Sequence, residues 1–358
     1  MKLDPEGHAG LLLSRQGWLD RGFHPRDLAG EEFTPVLRGF HTPTDNPASI
    51  DVIVRTAQQL VLPGSVASFS TAALLEGIPL PWKLENGVAF LQPPTNGAPR
   101  PGNGQVLSVR PGASLRTGAR IPTVHLRVGT AGSARTLRGI TVHRMRPGPV
   151  GMLGDLRVSM PVEVLRELAL ILPWGDVVAA IDALLCPERS ALGVTRDDIA
   201  AHAGRIEGST GGAVLRDALG HSRERVRSYG ETIMRLLIVG AGFPEPDPNL
   251  PVRDPRTGRR RYLDLAWEAA MAALEYDGDG HRVTKEQWRR DEARRDELAS
   301  YGWTLARANG DDLAHPLRIL LRLARTLGER GLAVPSEQRI RRYVASLHAH
   351  PLSLEVGT

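Results

Sequence analysis

The sequence predicts a multidomain α/β protein. Its 358 residues are too many for one ordinary hydrophobic core, which favours two or three domains. Helical apolar spacing and strand-like alternation occur in separate stretches of the chain. Residues 81–160 are rich in glycine and proline, and the chain has no repeat of fixed period. The predicted segments are 1–80, 81–160, 161–221, 222–328 and 329–358.

The first segment mixes short helices with turns. Apolar residues at Leu11–Arg15, a short helix at His24–Gly30 and the alternating run Pro35–His41 follow the order of a winged helix-turn-helix. Further helices are predicted at about Ile50–Leu62 and from Ser70, whose hydroxyl suits an N-cap.

The next two segments differ in secondary structure. Short alternating runs such as Thr123–Val128 and Ile140–His143 predict strands joined by loops in residues 81–160. The helical connector begins at Pro161, which suits a first helical position, and continues with a helix at Val177–Leu185.

Residues 222–328 predict alternating helices and strands, followed by a C-terminal helix and tail. The order is helix, strand, strand, helix, strand, helix. The predicted elements are Ser228–Ala241, Arg260–Trp267, Ala270–Tyr276, about Lys285–Tyr301, Trp303–Ala308 and 313–328.

The composition favours a globular protein of the cytoplasm. Hydrophobic residues make up 41% of the chain and charged residues 24%. The sequence has no run of about 18 or more apolar residues, so a membrane span is not expected. The N-terminus carries an early acid, Asp4, so a secretory signal is not expected. Cys186 is the single cysteine, which excludes an internal disulfide and a thiolate zinc cluster. The net charge of +5 permits a polyanionic partner.

Three carboxylates stand out in two apolar, strand-like runs. Asp264 lies within the first run, and Glu275 and Asp277 lie at the end of the second. Carboxylates are rarely buried unless they are paired or bound to a metal. Side chains two apart on a strand point to the same face, and a hairpin would place Asp264 opposite them. A divalent cation would relieve their repulsion, and such oxygen ligands suit Mg²⁺ or Mn²⁺.

A cation at this position predicts phosphodiester chemistry. It would polarise a phosphodiester oxygen and lower the pKa of an attacking water. Glu231, on the preceding helix, is the predicted further metal ligand beside Asp264 and Glu275. His281 follows a flexible turn and is predicted to reach the water or the leaving group. The alternatives are a solvated helix acid for Glu231, a turn or surface role for His281 and a turn-forming role for Asp277.

These residues lie within a longer stretch that is similar to a known family. The stretch from Glu231 to Trp303 resembles the DUF559 family, whose members look like relatives of the very-short-patch repair endonucleases in the PD-(D/E)XK superfamily. The matching runs include Gly242–Pro246, Tyr262–Trp267, Leu274–His281 and Gln287–Asp291. The resemblance implies a restriction-endonuclease-like α/β/α sandwich with a mixed central sheet. It also implies that Asp264 and Glu275 are metal ligands, with Glu231 as a helper.

One position departs from the superfamily pattern. The residue two after the glutamate is usually lysine, and here it is Asp277, as is usual within the DUF559 group. The expected cationic residue must therefore come from elsewhere, and the candidates are His281, Lys285 and Arg295.

Basic residues on the charged helix are predicted to contact DNA. Lys285, Arg289 and Arg290 are the predicted phosphate contacts. The alternative is a solvated helix with internal i,i+4 pairs.

The N-terminal segment, to about residue 80, resembles the AbiEi-type antitoxin winged helix. The resemblance lies in Leu11–Arg15, the Arg38–His41 wing and the run Ser68–Gly77. It implies a recognition helix in the major groove and a DNA contact at Arg38. A role in docking a partner or substrate is the alternative.

Two functions follow from these predictions. The first is a metal-dependent DNA endonuclease or nickase that uses Mg²⁺ or Mn²⁺ and no small-molecule cofactor. The second is a DNA-binding, antitoxin-like or regulatory protein on a nuclease fold without cleavage activity. Substitution of Asp264 or Glu275 would abolish turnover in the first case, whereas salt-sensitive DNA binding would survive it in the second.

Overall fold

The computed structural model describes most of the chain. The described residues are 3–4, 6–81, 89–91, 109–111, 124–130, 137–206, 208–209, 211–254, 258–277, 285–347, 350 and 352, with the backbone alone at 89–91, 109–111, 285–288 and 290–292. The chain is mixed α/β and divides into two units. The first unit extends to Ile171 and includes Gly204–Ile206, and the second covers Leu172–Ala203 and the described residues from 208 onward. Among the described residues, no helix is long and apolar enough to cross a membrane.

The first unit combines short strands with short helices. Its helices are α1 (Arg15–Leu19), α2 (Ile50–Thr56), α3 (Phe69–Glu76) and α4 (Pro161–Leu168). Its strands are β1 (Leu13–Ser14), β2 (Phe33–Leu37), β3 (Phe40–Pro43), β4 (Val66–Ala67), β5 (Ala89–Leu91), β6 (Val109–Pro111), β7 (Val124–Val128), β8 (Ile140–Arg144), β9 (Val150–Leu153) and β10 (Leu156–Ser159).

The strands of the first unit form three sheets among the described residues. Their orders are β1-β3-β2, β5-β6 and β8-β7-β4-β10-β9. The five-stranded sheet is mixed, because β4 pairs in parallel with β10 and antiparallel with β7. Since β4 comes from the first predicted segment and its neighbours come from residues 81–160, the two segments share one sheet.

The predicted hairpin and helices of the first 80 residues differ from the observed elements mainly at one helix. Arg38 and Gly39 join β2 to β3, as predicted for the wing, and Arg38 is exposed. The helix from Ile50 continues as a π-helical turn, Ala57–Val61. The predicted helix at His24–Gly30, however, is a single 3-10 turn at Asp27–Ala29, too short to place successive side chains along a major groove.

The second unit carries the predicted acidic residues. Its helices are α5 (Trp174–Leu185), α6 (Arg196–Arg205), α7 (Gly212–His221), α8 (Tyr229–Ala241), α9 (Lys285–Ser300), α10 (Gly310–Ala314), α11 (Leu317–Glu329) and α12 (Glu337–Leu347). Its strands are β11 (Asp247–Arg253), β12 (Arg260–Trp267), β13 (Ala272–Asp277) and β14 (Thr304–Asn309). A 3-10 turn, Glu268–Ala270, joins β12 to β13.

The four strands form a mixed sheet in the order β11-β12-β13-β14. The first two pairings are antiparallel and the third is parallel. Neighbouring residues on β13 point to opposite faces, and they enter two different apolar clusters. Leu274 packs with Leu237 of α8 and Leu323 of α11, whereas Ala273 packs with Leu298 of α9. The sheet therefore has an apolar cluster on each face.

The helix α8 is fixed at its start and along one side. The Ser228 hydroxyl accepts a hydrogen bond from the Glu231 N–H, as an N-cap does. On α5, the buried carboxylate of Asp182 accepts hydrogen bonds from the Thr232 hydroxyl (2.9 Å) and the Arg235 guanidinium (3.2 Å). These contacts hold the first two turns of α8, and therefore Glu231, in one position.

Most predicted elements of residues 222–328 lie where the sequence placed them, but one strand was missed. The strand Arg260–Trp267 was predicted with these bounds, and the helix expected from Ser228 begins one residue later. The strand β11 was not predicted, because Pro248 and Pro251 argue against a central strand. β11 is an edge strand, where a residue without an N–H group is tolerated. The predicted helix 313–328 is divided into α10 and α11.

Candidate functional site

Asp264 and Glu275 lie side by side where two strands separate. The antiparallel pairing of β12 with β13 ends at Leu265 and Leu274, so the next residues are Asp264 on one strand and Glu275 on the other. The Tyr276 N–H donates to Asp264 Oδ2 over 2.9 Å, which fixes the Asp264 carboxylate against β13. The predicted hairpin thus brings these two acids together.

Glu275 is held by an arginine that the sequence analysis did not select. Arg294 Nη1, on α9, lies 2.9 Å from Glu275 Oε2, and Arg294 Nη2 donates to the Tyr262 carbonyl over 2.5 Å. The Glu275 side chain is 13% exposed, and its Oε1 is buried with no hydrogen-bond partner among the described residues. Among the described residues, one carboxylate oxygen therefore has a guanidinium partner and the other has no hydrogen-bond partner.

Glu231 completes the acidic group from the helix side. It is 6% exposed in the first turn of α8. Its Oε2 accepts hydrogen bonds from the Arg227 N–H (2.9 Å) and the Asn249 Nδ2 amide (2.7 Å). Glu231 is thus a buried, oriented carboxylate, which excludes the alternative of a solvated helix acid.

Burial and mutual repulsion weaken the acidity of these carboxyls. Burial and then the charge of Asp264 raise the pKa of Glu231 to about 7. The same two causes raise the pKa of Glu275 to about 7, although Arg294 opposes the rise. Burial also raises the pKa of Asp264, while the Tyr276 N–H and Arg294 oppose the change. Each group would ionise more readily beside a cation.

Asp277 lies at the same strand end but is more open to solvent. Its side chain is 41% exposed, and its Oδ2 lies 4.0 Å from Arg307 Nη1 on β14. Its charge contributes to the raised pKa of Asp264. The two-residue spacing places Asp277 and Glu275 on the same face of β13, as predicted.

The structure tests only part of the predicted metal site and of the predicted basic residues. Among the described residues, no group of three or more His, Cys, Asp or Glu side chains is placed to hold a metal ion. His281 and the side chains of Lys285 and Arg290 lie outside the described residues. Arg289 is exposed on α9. The cation beside Glu275 is Arg294, one residue before the predicted Arg295.

A cleft of about 470 Å³ adjoins the acidic group. Its lining residues are Glu188, Arg225, Arg227, Asn249, Pro251, Arg253, Arg260 and Tyr262. Two of them, Arg227 and Asn249, donate hydrogen bonds to Glu231. A third, Tyr262, accepts a hydrogen bond from Arg294, which also pairs with Glu275. Residues that line the cleft are therefore hydrogen-bonded to Glu231 and to the arginine that pairs with Glu275.

The sequence carries one signal for the cleft, a run of three arginines. The run Arg259–Arg261 follows a turn-like Asp254–Gly258 segment and precedes the Asp264 strand. This run predicts a basic hairpin tip next to the strand that carries Asp264. Without β11, however, the position of Arg253 opposite this run could not be assigned.

Comparisons with known proteins give distant relatives only. No protein-family model matches the chain, and no solved structure matches it. The chain is 26% identical over 230 residues to proteins from two strains of Mycobacterium tuberculosis, an alignment that covers 58% of this chain and 83% of each relative. Both relatives are named as uncharacterized proteins. The similarity assigns neither a family nor an activity.

Proposed function

We propose that the second unit is a metal-dependent DNA endonuclease or nickase of the PD-(D/E)XK type, with a restriction-endonuclease-like α/β/α sandwich. The observation that carries the proposal is the placement of Asp264 beside Glu275 at the separation of β12 and β13. Such a pair of buried acids is unfavourable without a ligand. The resemblance to the DUF559 family supports the same assignment.

The chemistry of the acidic group fits a hard divalent cation. Asp264 and Glu275 offer carboxylate oxygens, including the buried Glu275 Oε1 that has no hydrogen-bond partner among the described residues. These two residues would hold Mg²⁺ or Mn²⁺, and Glu231 would add negative charge nearby without completing a three-carboxylate group among the described residues. When bound, the ion would polarise the phosphodiester group and make water a better nucleophile.

The neighbouring residues position this group. The Tyr276 N–H orients Asp264, Arg294 orients Glu275, and Arg227 with Asn249 orients Glu231. Arg294 also supplies positive charge beside Glu275, in a site where Asp277 stands in place of the superfamily lysine. We propose that Arg294 compensates for that replacement.

A plasmid-nicking assay tests the proposal. Wild-type protein is expected to nick supercoiled DNA with Mg²⁺ or Mn²⁺ and not with EDTA. Asp264→Asn and Glu275→Gln are expected to lose at least about 100-fold in rate, as loss of a transition-state electrostatic group does. Glu268→Gln removes an exposed acid of the same unit and is the matched control. Absence of wild-type activity on supercoiled, duplex, single-stranded and mismatched DNA would contradict the proposal.

A specific observation favours the second function, DNA binding without cleavage. Arg294 already neutralises one oxygen of Glu275, and the described residues include no group of three metal-type ligands. A regulatory or antitoxin-like protein on this fold would bind DNA equally well with Asp264→Asn and Glu275→Gln. Gel-shift titrations of these variants, paired with the nicking assay, separate the two functions.

A further inference from the structure

Three of the four arginine side chains that line the cleft lack a carboxylate partner among the described residues. Arg225, Arg253 and Arg260 are exposed, and no described carboxylate forms an ion pair with any of them. By contrast, Arg261, next along β12, pairs with Glu297 on α9. Successive residues of a strand point to opposite faces, so the strand directs one arginine to a carboxylate and the other into the cleft.

Two of the cleft arginines face each other directly across a strand pair. Arg253 on β11 is the register partner of Arg260 on β12. Like charges directly opposite one another destabilise a β-ladder. A ligand that carries negative charge would turn this repulsion into attraction, and a guanidinium group matches the geometry of phosphate oxygens.

The remaining lining residues give the cleft a polarity. Arg227 lies with its guanidinium 4.2 Å from the centre of the Tyr262 ring and pairs with Glu188 at 3.4 Å, so it is held in place. Glu188 is the single carboxylate among the eight lining residues. The cleft is therefore strongly positive, and it includes Arg253 and Arg260 at the turn end of the β11–β12 hairpin.

We infer that this cleft binds the phosphodiester backbone of the nucleic-acid substrate on one side of the scissile bond. Arg260 precedes Asp264 by four residues, which is about 13 Å along an extended strand. Because one DNA strand carries a phosphate about every 3.4 Å of helix axis, the arginine pair would contact phosphates no more than about four nucleotides from the scissile position. The inference rests on the proposed function, since it takes the acidic group as the position of cleavage.

The cleft predicts a division of labour between its arginines and the acids. Flanking phosphate contacts set the affinity and its salt dependence, while the acids set the rate of the bound complex. Arg253→Gln with Arg260→Gln is therefore expected to weaken DNA binding and to raise the protein concentration that half-maximal cleavage requires. Removal of two facing like charges is expected to leave the melting temperature equal or higher.

The test is a DNA-binding titration in EDTA, in which cleavage plays no part. The titration uses a 20-base-pair duplex at about 50–200 mM salt. The plot of log K, the DNA association constant, against log salt is expected to be less steep for the double variant, with a slope smaller in magnitude by about 2. Arg341→Gln with Arg342→Gln, on the exposed side of α12, makes the same change in net charge and is expected to keep the wild-type slope.

Two results would overturn the inference. One is an unchanged slope for the cleft variant, or an equal change in both double variants. The other is competition by a mononucleotide as strong as that by the duplex at equal phosphate concentration, which would identify a nucleotide site instead. Because binding is measured without metal, loss of cleavage alone would contradict the proposed function and leave this result unaffected.

Discussion

At the scale of single residues, the acidic group works against the stability of the fold. Asp264, Glu275 and Glu231 are largely withdrawn from water, and burial is the first cause of the raised pKa of each. Repulsion between the carboxylates adds to this cost. Perturbed acids of this kind are concentrated at functional sites, where a ligand or a reaction uses them.

The raised pKa values predict how stability depends on pH. Between the ordinary value of 4.5 and about 7, the folded Glu275 and Glu231 bind more protons than they do in the unfolded chain. Their contribution to stability therefore falls as pH rises through this window and levels off above about 7. Melting temperatures in EDTA at about pH 5.5 and about pH 8 are expected to show this fall.

Comparison with variants isolates the acidic group from other titrating residues. In the first unit, burial raises the pKa of Glu76 to about 8 and that of Glu167 to about 7, so both units contribute to the wild-type profile. Glu275→Gln is expected to reduce the fall in the free energy of unfolding between the two pH values by up to a few kcal/mol. Glu268→Gln is expected to leave that fall unchanged. A Glu275→Gln profile identical to wild type would contradict the prediction.

Arg294 gives a second prediction at this scale. Its charge lowers the pKa of Glu275 against the effect of burial. Arg294→Gln removes that effect, so the pKa of Glu275 rises and the acid limb of the pH–rate profile for nicking moves to higher pH. Arg289→Gln, exposed on the same helix, is the control and is expected to leave the limb in place. A lower rate with no movement of the limb would show that Arg294 acts by another route.

At the scale of elements, the site depends on the close approach of α8 to β13. A Cβ atom at Gly230 would lie 2.0 Å from Tyr276 Cε1, far inside van der Waals contact. Gly230 immediately precedes Glu231, and the Tyr276 N–H holds Asp264. The missing side chain at Gly230 therefore allows the helix acid and the strand acids to approach one another.

Gly230→Ala tests this packing. The overlap would move the start of α8 away from β13, with an expected loss of about 1–3 kcal/mol in the free energy of unfolding. Nicking is expected to fall as well, because Glu231 moves with the helix. Gly220→Ala is the matched control, since its Cβ meets nothing within 4 Å and alanine favours a helix. Equal stability and activity of the two variants would contradict the packing argument.

The elements also show where sequence patterns were sufficient. Ser228, Gly242 and the apolar spacing between them fixed the bounds of α8 to within one residue. The strand β11 was missed because a residue pattern cannot tell an edge strand, which tolerates Pro248 and Pro251, from an irregular segment. Asn249, with φ of 47°, interrupts the strand alternation at the residue that contacts Glu231.

At the scale of the whole molecule, the acids could be predicted and the arginines could not. Asp264 and Glu275 occur in apolar strands, where a carboxylate is conspicuous. Arg294 is one of several arginines on a charged helix, and its partner is set by how α9 packs on the sheet. Arg253 and Arg260 meet only through the β11–β12 register, which is a tertiary property.

Single-turnover cleavage of a preformed DNA complex tests the central claim most directly. The complex is assembled in EDTA, excess Mg²⁺ is added, and strand cleavage is followed on a denaturing gel. Wild type and Glu268→Gln are expected to cut the bound DNA, whereas Asp264→Asn and Glu275→Gln are expected to bind it and leave it intact. Bound DNA that stays intact with wild type, or that is cut equally by Asp264→Asn, would contradict the assignment of a metal-dependent nuclease to this site.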